Sequence, residues 1–228
     1  MATTLSNIRD RCRQRADMVG SAFVSDTELL NFINASYAEL YDLLVQTYED
    51  YFVTSETFTL TTSDSGIRAL PSGFYKLKGV DYSIGGEFVT LYPYNWNTRN
   101  RWQRSTNRYN LRGSDRKYKI LGSNLRIEPR DDATGSYQLW YVPSYTALAD
   151  DADNISSIIT QNNWEEYIVI DAAIKMLEKE ESNTAHLERE KKAFIKRVES
   201  AAGERDVDQP ERVSDVGTHD YLNHWDDY

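Results

Sequence analysis

Cysteine is nearly absent. Cys12 is the only one in 228 residues, which excludes an intramolecular disulfide framework and points to a reducing place of assembly. Histidine is almost as scarce, at three positions: His186, His219 and His224. The last two lie five residues apart with no cysteine near them, a poor zinc set. His186 has no serine or cysteine at a suggestive spacing, which argues against a nucleophile–histidine–acid arrangement. No apolar run approaches the roughly 18 residues that a membrane span needs. Met1-Ala2-Thr3-Thr4-Leu5 lacks the charged and then hydrophobic regions of a secretory signal, so folding in a cytoplasm is expected. There is no GxGxxG and no Walker-type lysine loop. Asp150-Asp151-x-Asp153 opens like a calcium loop, but the glycine at its sixth position and the glutamate at its twelfth are missing. Among 36 acids some pair always looks fit for glycoside hydrolysis, and no spacing singles one out. The expectation is no metal, no cofactor and no catalytic residue.

Charge is plentiful and unevenly placed. The chain is acidic, net −10. Residues 99–119 nevertheless hold eight bases and one acid, Asp115, whereas residues 203–228 hold eight acids and only Arg205 and Arg212 as bases. A basic island in an acidic chain steers a local partner. Sixteen tyrosines and five tryptophans suit interfaces as well as cores.

In chain order, Leu5, Ile8, Cys12 and Ala16 predict one face of a short helix over 4–17, ended by Gly20, with Cys12 as a small buried hydrophobe. Ser25-Asp26-Thr27-Glu28 reads as a capping box opening a long helix over about 26–49. Its stripe is Leu29, Phe32, Ile33, Tyr37, Leu40, Tyr41 and Leu44. Alternating segments then predict strands at 52–54, 57–60, 67–71 and 74–82. A hairpin at Gly85-Gly86 returns through Phe88–Tyr92, and strands resume at 118–121, 124–127 and 136–142 before Pro143. Residues 147–161 read as a polar linker. A helix follows with Tyr167, Ile168, Ile170, Ala173, Ile174 and Leu177 on one side, and then a second with Leu187, Phe194, Ile195 and Val198.

These elements predict an α+β protein. Residues 1–50 and 162–202 would form a bundle of two N-terminal and two C-terminal helices, and 51–146 an inserted antiparallel β domain. Residues 203–228 would be an extended tail. Four large apolar groups near its tip, Tyr221, Leu222, Trp225 and Tyr228, suit a docking peptide better than a solvating one. The basic island has two readings. Arg99, Arg101, Arg104, Arg108, Arg112 and Arg116, interleaved with Trp96, Trp102 and Tyr109, suit pairing with acidic surfaces of neighbouring subunits. The same groups suit non-specific contact with DNA phosphates and bases.

Several short motifs then occur in order: Ile8-Arg9-Asp10-Arg11, Val24-Ser25-Asp26-x-x-Leu29-Leu30-x-Phe32-Ile33-Asn34-x-x-Tyr37, and Leu70-Pro71-x-x-Phe74-x-Lys76-Leu77-x-Gly79-Val80. Leu139-Trp140-Tyr141-Val142-Pro143 and Trp164-Glu165-Glu166-Tyr167-Ile168-Val169-Ile170-Asp171-Ala172-Ala173 complete the set. In order and spacing these resemble the head-to-tail adaptor (connector, or head completion) proteins of tailed bacteriophages. The resemblance implies a virion protein at the head–tail junction: a homo-oligomeric ring, typically of twelve subunits, seated under the portal protein. Helices would pack side by side around the ring, the β insertion would face a tail or nozzle protein, and the C-terminal extension would dock on the portal. The alternative to the connector is the DNA-contacting module through residues 99–119. Some short-tailed relatives have also been credited with peptidoglycan hydrolysis, which would make a wall-degrading enzyme a third reading, but no residue here carries a catalytic role over.

Overall fold

Thr4 accepts the Asn7 amide on its hydroxyl at 3.3 Å and so opens α1 (Leu5–Arg15). This geometry comes from a computed structural model that describes residues 3–102 and 116–203. Leu5, Ile8, Cys12 and Ala16 form the buried face of α1 as expected. The helix stops well before Gly20, because Asp17 takes a left-handed φ of 55°, a conformation that aspartate tolerates better than most residues. Ser25 caps α2 (Asp26–Thr47) by accepting the Glu28 amide at 3.3 Å. Glu28 meets Lys179 Nζ at 2.7 Å, and the full reciprocal capping box sits at Thr61–Asp64. The α2 stripe is buried at Leu29, Ile33, Tyr37, Leu40, Tyr41 and Leu44, with Phe32 only partly covered.

The insertion contains β1 (Thr54–Leu60), β2 (Ile67–Ala69), β3 (Phe74–Ile84), β4 (Glu87–Thr90), β5 (Tyr92–Pro93), β6 (Lys117–Leu121), β7 (Asn124–Glu128) and β8 (Gly135–Pro143). They form two four-stranded sheets, ordered β1-β8-β3-β4 and β2-β7-β6-β5. Gly85 and Gly86, at φ 61° and 95°, make the expected two-residue hairpin, since a tight turn of the primed type needs positive φ at both positions. The expected uniform antiparallel pairing does not hold throughout. After Thr90 the chain crosses to the second sheet, where Tyr92 and Pro93 pair in parallel with Lys117 and Tyr118. Proline cannot donate to a ladder, so Pro93 belongs on this outermost strand.

Phe58, Leu60, Val80, Leu91, Leu125, Ile127, Tyr137 and Leu139 make a core between the sheets. Tyr137 is wholly buried within it, donating its hydroxyl proton to the Ala133 carbonyl at 2.7 Å and stacking on Phe58. A second, larger core belongs to the helices. Tyr41, Val45 and Val142 join the two lobes, helped by Lys78–Asp50 at 2.7 Å and by Tyr75 donating to Asp42 at 3.0 Å.

Residues 147–161 are not a free polar linker. Leu148, Ile155 and Ile159 are buried in the helical core. The Asn34 amide both donates to the Leu148 carbonyl and accepts its N–H, each at 2.9 Å. Asp153 turns back on the Ala149 and Asp150 amides, and Asn154 bridges to Thr4. Three apolar residues and paired backbone groups suffice to bury a segment that reads as solvated. A short α3 (Ser157–Gln161) closes it. The expected one-sided stripe of α4 (Glu165–Lys179) is also exceeded: Tyr167 to Ile174 is buried without a break, so α4 is the central helix of the body. α5 (Ala185–Gly203) covers it with Leu187, Phe194 and Val198.

Candidate interaction surface

At the outer edge of the second sheet, β5 and β6 carry the foot of the basic island. Asn95 accepts the Asn97 amide at 3.0 Å and starts a 3-10 turn over Trp96–Arg101. Inside that turn the Arg99 guanidinium lies 4.8 Å from the centre of the Trp96 ring and donates to the Trp96 carbonyl at 3.2 Å. Lys117 Nζ sits 5.2 Å from the Tyr92 ring and 5.7 Å from that of Trp102. Tyr92 is 63% exposed and Trp96 44%. Cations over rings in the open contribute about 0.5–1 kcal/mol each to local order, so the foot is a small preset platform. Its ring faces and positive charges fit acidic side chains, phosphates or unstacked bases.

The expected arginines do not share one environment. Arg99 belongs to the platform. Arg116 is turned inward: its Nε donates to the Asp132 carbonyl at 2.7 Å, and its guanidinium lies 3.8 Å from the Tyr82 ring centre. Buried and paired in this way, it fastens the insertion rather than displaying charge. Arg104, Arg108 and Arg112 lie outside the described residues, as do the tail residues Tyr221, Leu222, Trp225 and Tyr228.

A charged knot in the helical body has no counterpart in the expected site. Asp171 is buried on α4 and accepts from Ser36 Oγ at 2.6 Å, Lys175 Nζ at 2.6 Å and Lys191 Nζ at 2.5 Å. Glu39 meets the same two lysines at 3.1 and 3.3 Å and accepts the Tyr167 hydroxyl proton at 3.2 Å. Burial pushes the Asp171 pKa up, but the hydrogen bonds from Lys175, Lys191 and Ser36 outweigh it and hold the group below the usual carboxylate range. Burial pulls Lys191 down, and Asp171 beside it reverses that and raises it. An aspartate inside an otherwise apolar helix face is the one signal in the sequence for this knot. Its role is to fasten α2, α4 and α5 together.

The remaining candidate groups are engaged within the subunit. Burial raises the Cys12 thiol to about 12, so it stays protonated and unreactive at neutral pH. Of the acidic loop, Asp151 pairs with Arg9, and the Ala149 and Asp150 amides lower Asp153. Among the described residues no three His, Cys, Asp or Glu converge as metal ligands, and no helix is long and apolar enough to cross a membrane.

The helical body and the β lobe are joined through a shared apolar contact, and the lobe carries cations stacked on exposed rings. The chain belongs to the SU10 adaptor protein family, whose model matches residues 3–217. No curated protein matches it. The family is one of structural adaptors and not a known enzyme family; membership makes the chain a bacteriophage virion component that contacts other parts of the head and tail.

Proposed function

We propose that the chain forms a ring, of twelve subunits in the expected case, that joins the portal of the phage head to a tail or nozzle protein. The carrying observation is the family match over residues 3–217, which takes in the helical body, the whole insertion and the first part of the tail. In this reading the helical bodies pack side by side and the β lobes face the tail, with the C-terminal segment docking on the portal. Tyr221, Leu222, Trp225 and Tyr228 fall beyond the matched residues, so their anchoring role rests on composition: large aromatic groups usually carry docking energy. Deleting residues 204–228 is expected to leave a folded protein that no longer binds purified portal rings, read as mass by light scattering. Retained binding removes the tail from the docking role, and a wild-type chain that stays monomeric beside portals removes the connector reading.

The exposed platform of Tyr92, Trp96, Arg99 and Lys117 favours a second reading, non-specific contact with genomic DNA. It predicts duplex binding that weakens steeply with salt and is lost when Arg99, Arg101, Arg104, Arg108 and Arg112 become alanine. No binding at low salt ends it. Wall degradation has no residue to carry it, and a zymogram on purified peptidoglycan tests it directly.

A further inference from the structure

The first sheet ends in two strands, each paired on one side only. β1 pairs with β8 along all seven of its residues, and β4 pairs with β3 from Glu87 to Thr90. Among the described residues no strand pairs with the other edge of either. Soluble proteins blunt such edges with proline, lysine, bulges or very short strands. Thr54–Leu60 and Glu87–Thr90 contain no proline, lysine or arginine and one glutamate each, Glu56 and Glu87. Arg68 engages Glu56 at 3.0 Å, and the register shifts of this sheet lie inside it, between β3 and β8. The second sheet of the same lobe is protected: its edges are three and two residues long, with Arg68 in one and Pro93 in the other. One lobe therefore blunts one sheet strongly and leaves the other, with edges of seven and four residues, more open.

Direction indicates what an open edge can accept. Every pairing in the first sheet is antiparallel, and with four strands β1 and β4 run in opposite directions. Setting β4 of one copy beside β1 of another thus continues the alternation. The second sheet, with its parallel β5–β6 pair, would bring β5 and β2 together in parallel over two residues. Phe88, 53% exposed on β4, and Thr57 and Thr59, exposed on β1, offer an aromatic ring to β-branched neighbours, a favourable cross-strand pairing.

We propose that β1 of one copy pairs with β4 of the next, so that the first sheet runs on from subunit to subunit. This deepens the ring reading and rests on it. The contact is heterologous: each copy gives a different edge to each neighbour, and repetition closes a ring when the rotation allows. Only four residues of β4 take part, so the pairing sets direction and register, while the helical bodies supply further buried area.

The test uses the full chain under conditions where wild type forms rings, alone or on portal rings. Thr57→Lys blocks one edge and Phe88→Lys the other. Both positions are exposed, and an unchanged urea midpoint verifies the fold. Each variant alone is expected to need at least about tenfold more protein to form rings, a loss of roughly 1.4 kcal/mol. Their equimolar mixture is expected to stop at dimers, since only one pair of intact edges is left. In wild type, backbone amides of 54–60 and 87–90 are expected to gain protection from exchange on assembly. Rings formed by either variant at the wild-type concentration overturn the edge pairing and leave the ring standing. Protection already complete in the monomer overturns it as well, because the chain then covers its own edges. If wild type never assembles, ring and edge pairing fail together.

Discussion

In the helical body, charges that enter the core meet counterions from the same subunit. At the outer edge of the β lobe, cations lie over rings that face outward, though Arg116 nearby is turned inward. Asp171 has two lysines and a serine around it, whereas Arg99 and Lys117 are stacked beside half-exposed Trp96 and Tyr92. The two lobes differ in the same way at their edges. α4 is buried without a break from Tyr167 to Ile174, while β1 and β4 each offer an unpaired edge among the described residues. Both lobes have their own core, but only the β lobe stacks its cations on open rings beside unpaired edges among the described residues. Mutations in the helical body should register mainly as stability and mutations in the exposed part of the β lobe mainly as association.

The largest expected effect tests the closed lobe. Ile170→Ala, at a wholly buried site on α4, is expected to cost about 3 kcal/mol through lost burial and the cavity left behind, read as a shift of the urea midpoint. A comparable loss, also about 3 kcal/mol, is expected for Asp171→Asn, which leaves two lysine charges without their buried partner.

The same knot shapes the pH profile. The Asp171 pKa is lowered on folding, so its contribution is fully present above the unfolded value of about 3.9 and is lost as pH falls through the lowered one. Lys191 is raised, so its contribution is present below about 10.4 and is lost as pH rises through the raised value. Urea midpoints are therefore expected to form a plateau between these limits. Asp171→Asn should flatten the acid side.

Smaller effects belong to the β lobe. Tyr137→Phe removes the hydrogen bond to Ala133 and is expected to cost about 1 kcal/mol, seen as a lower thermal midpoint. Tyr92→Ala with Trp96→Ala is expected to stay within roughly 0.5 kcal/mol of wild type in stability while weakening binding to DNA or to an acidic partner. A large stability loss from that pair would erase the contrast between the lobes.

Periodicity made α1, α2 and the hairpin at Gly85-Gly86 legible, because each is a local pattern set by neighbours in sequence. The charged knot was not legible, since Ser36 and Asp171 stand 135 residues apart and Lys175 alone reads as an ordinary solvated lysine. Glu28 misled for the same reason: its partner is Lys179, 151 residues away, and not its own helix start. α4 passed for a one-sided helix because Asp171 and Lys175 interrupt an otherwise apolar surface. Burial of 147–161 turned on three isolated apolar residues and one asparagine amide, too sparse a pattern to reveal a packed segment. At the candidate surface, the mixture of aromatic and basic residues in 92–117 was visible. That Arg116 faces inward was not, because its partners Tyr82 and Asp132 come from elsewhere in the chain.

Arg116 and Lys117 also bear on how this surface can change. Lys117 lies near Trp102, and Arg116 is pinned to Tyr82 and Asp132, so the two feet of the intervening stretch are fixed by the β lobe itself. Substitutions at Tyr82 or Asp132 are therefore expected to loosen Arg116 and with it the start of β6, although neither residue is near the platform in sequence.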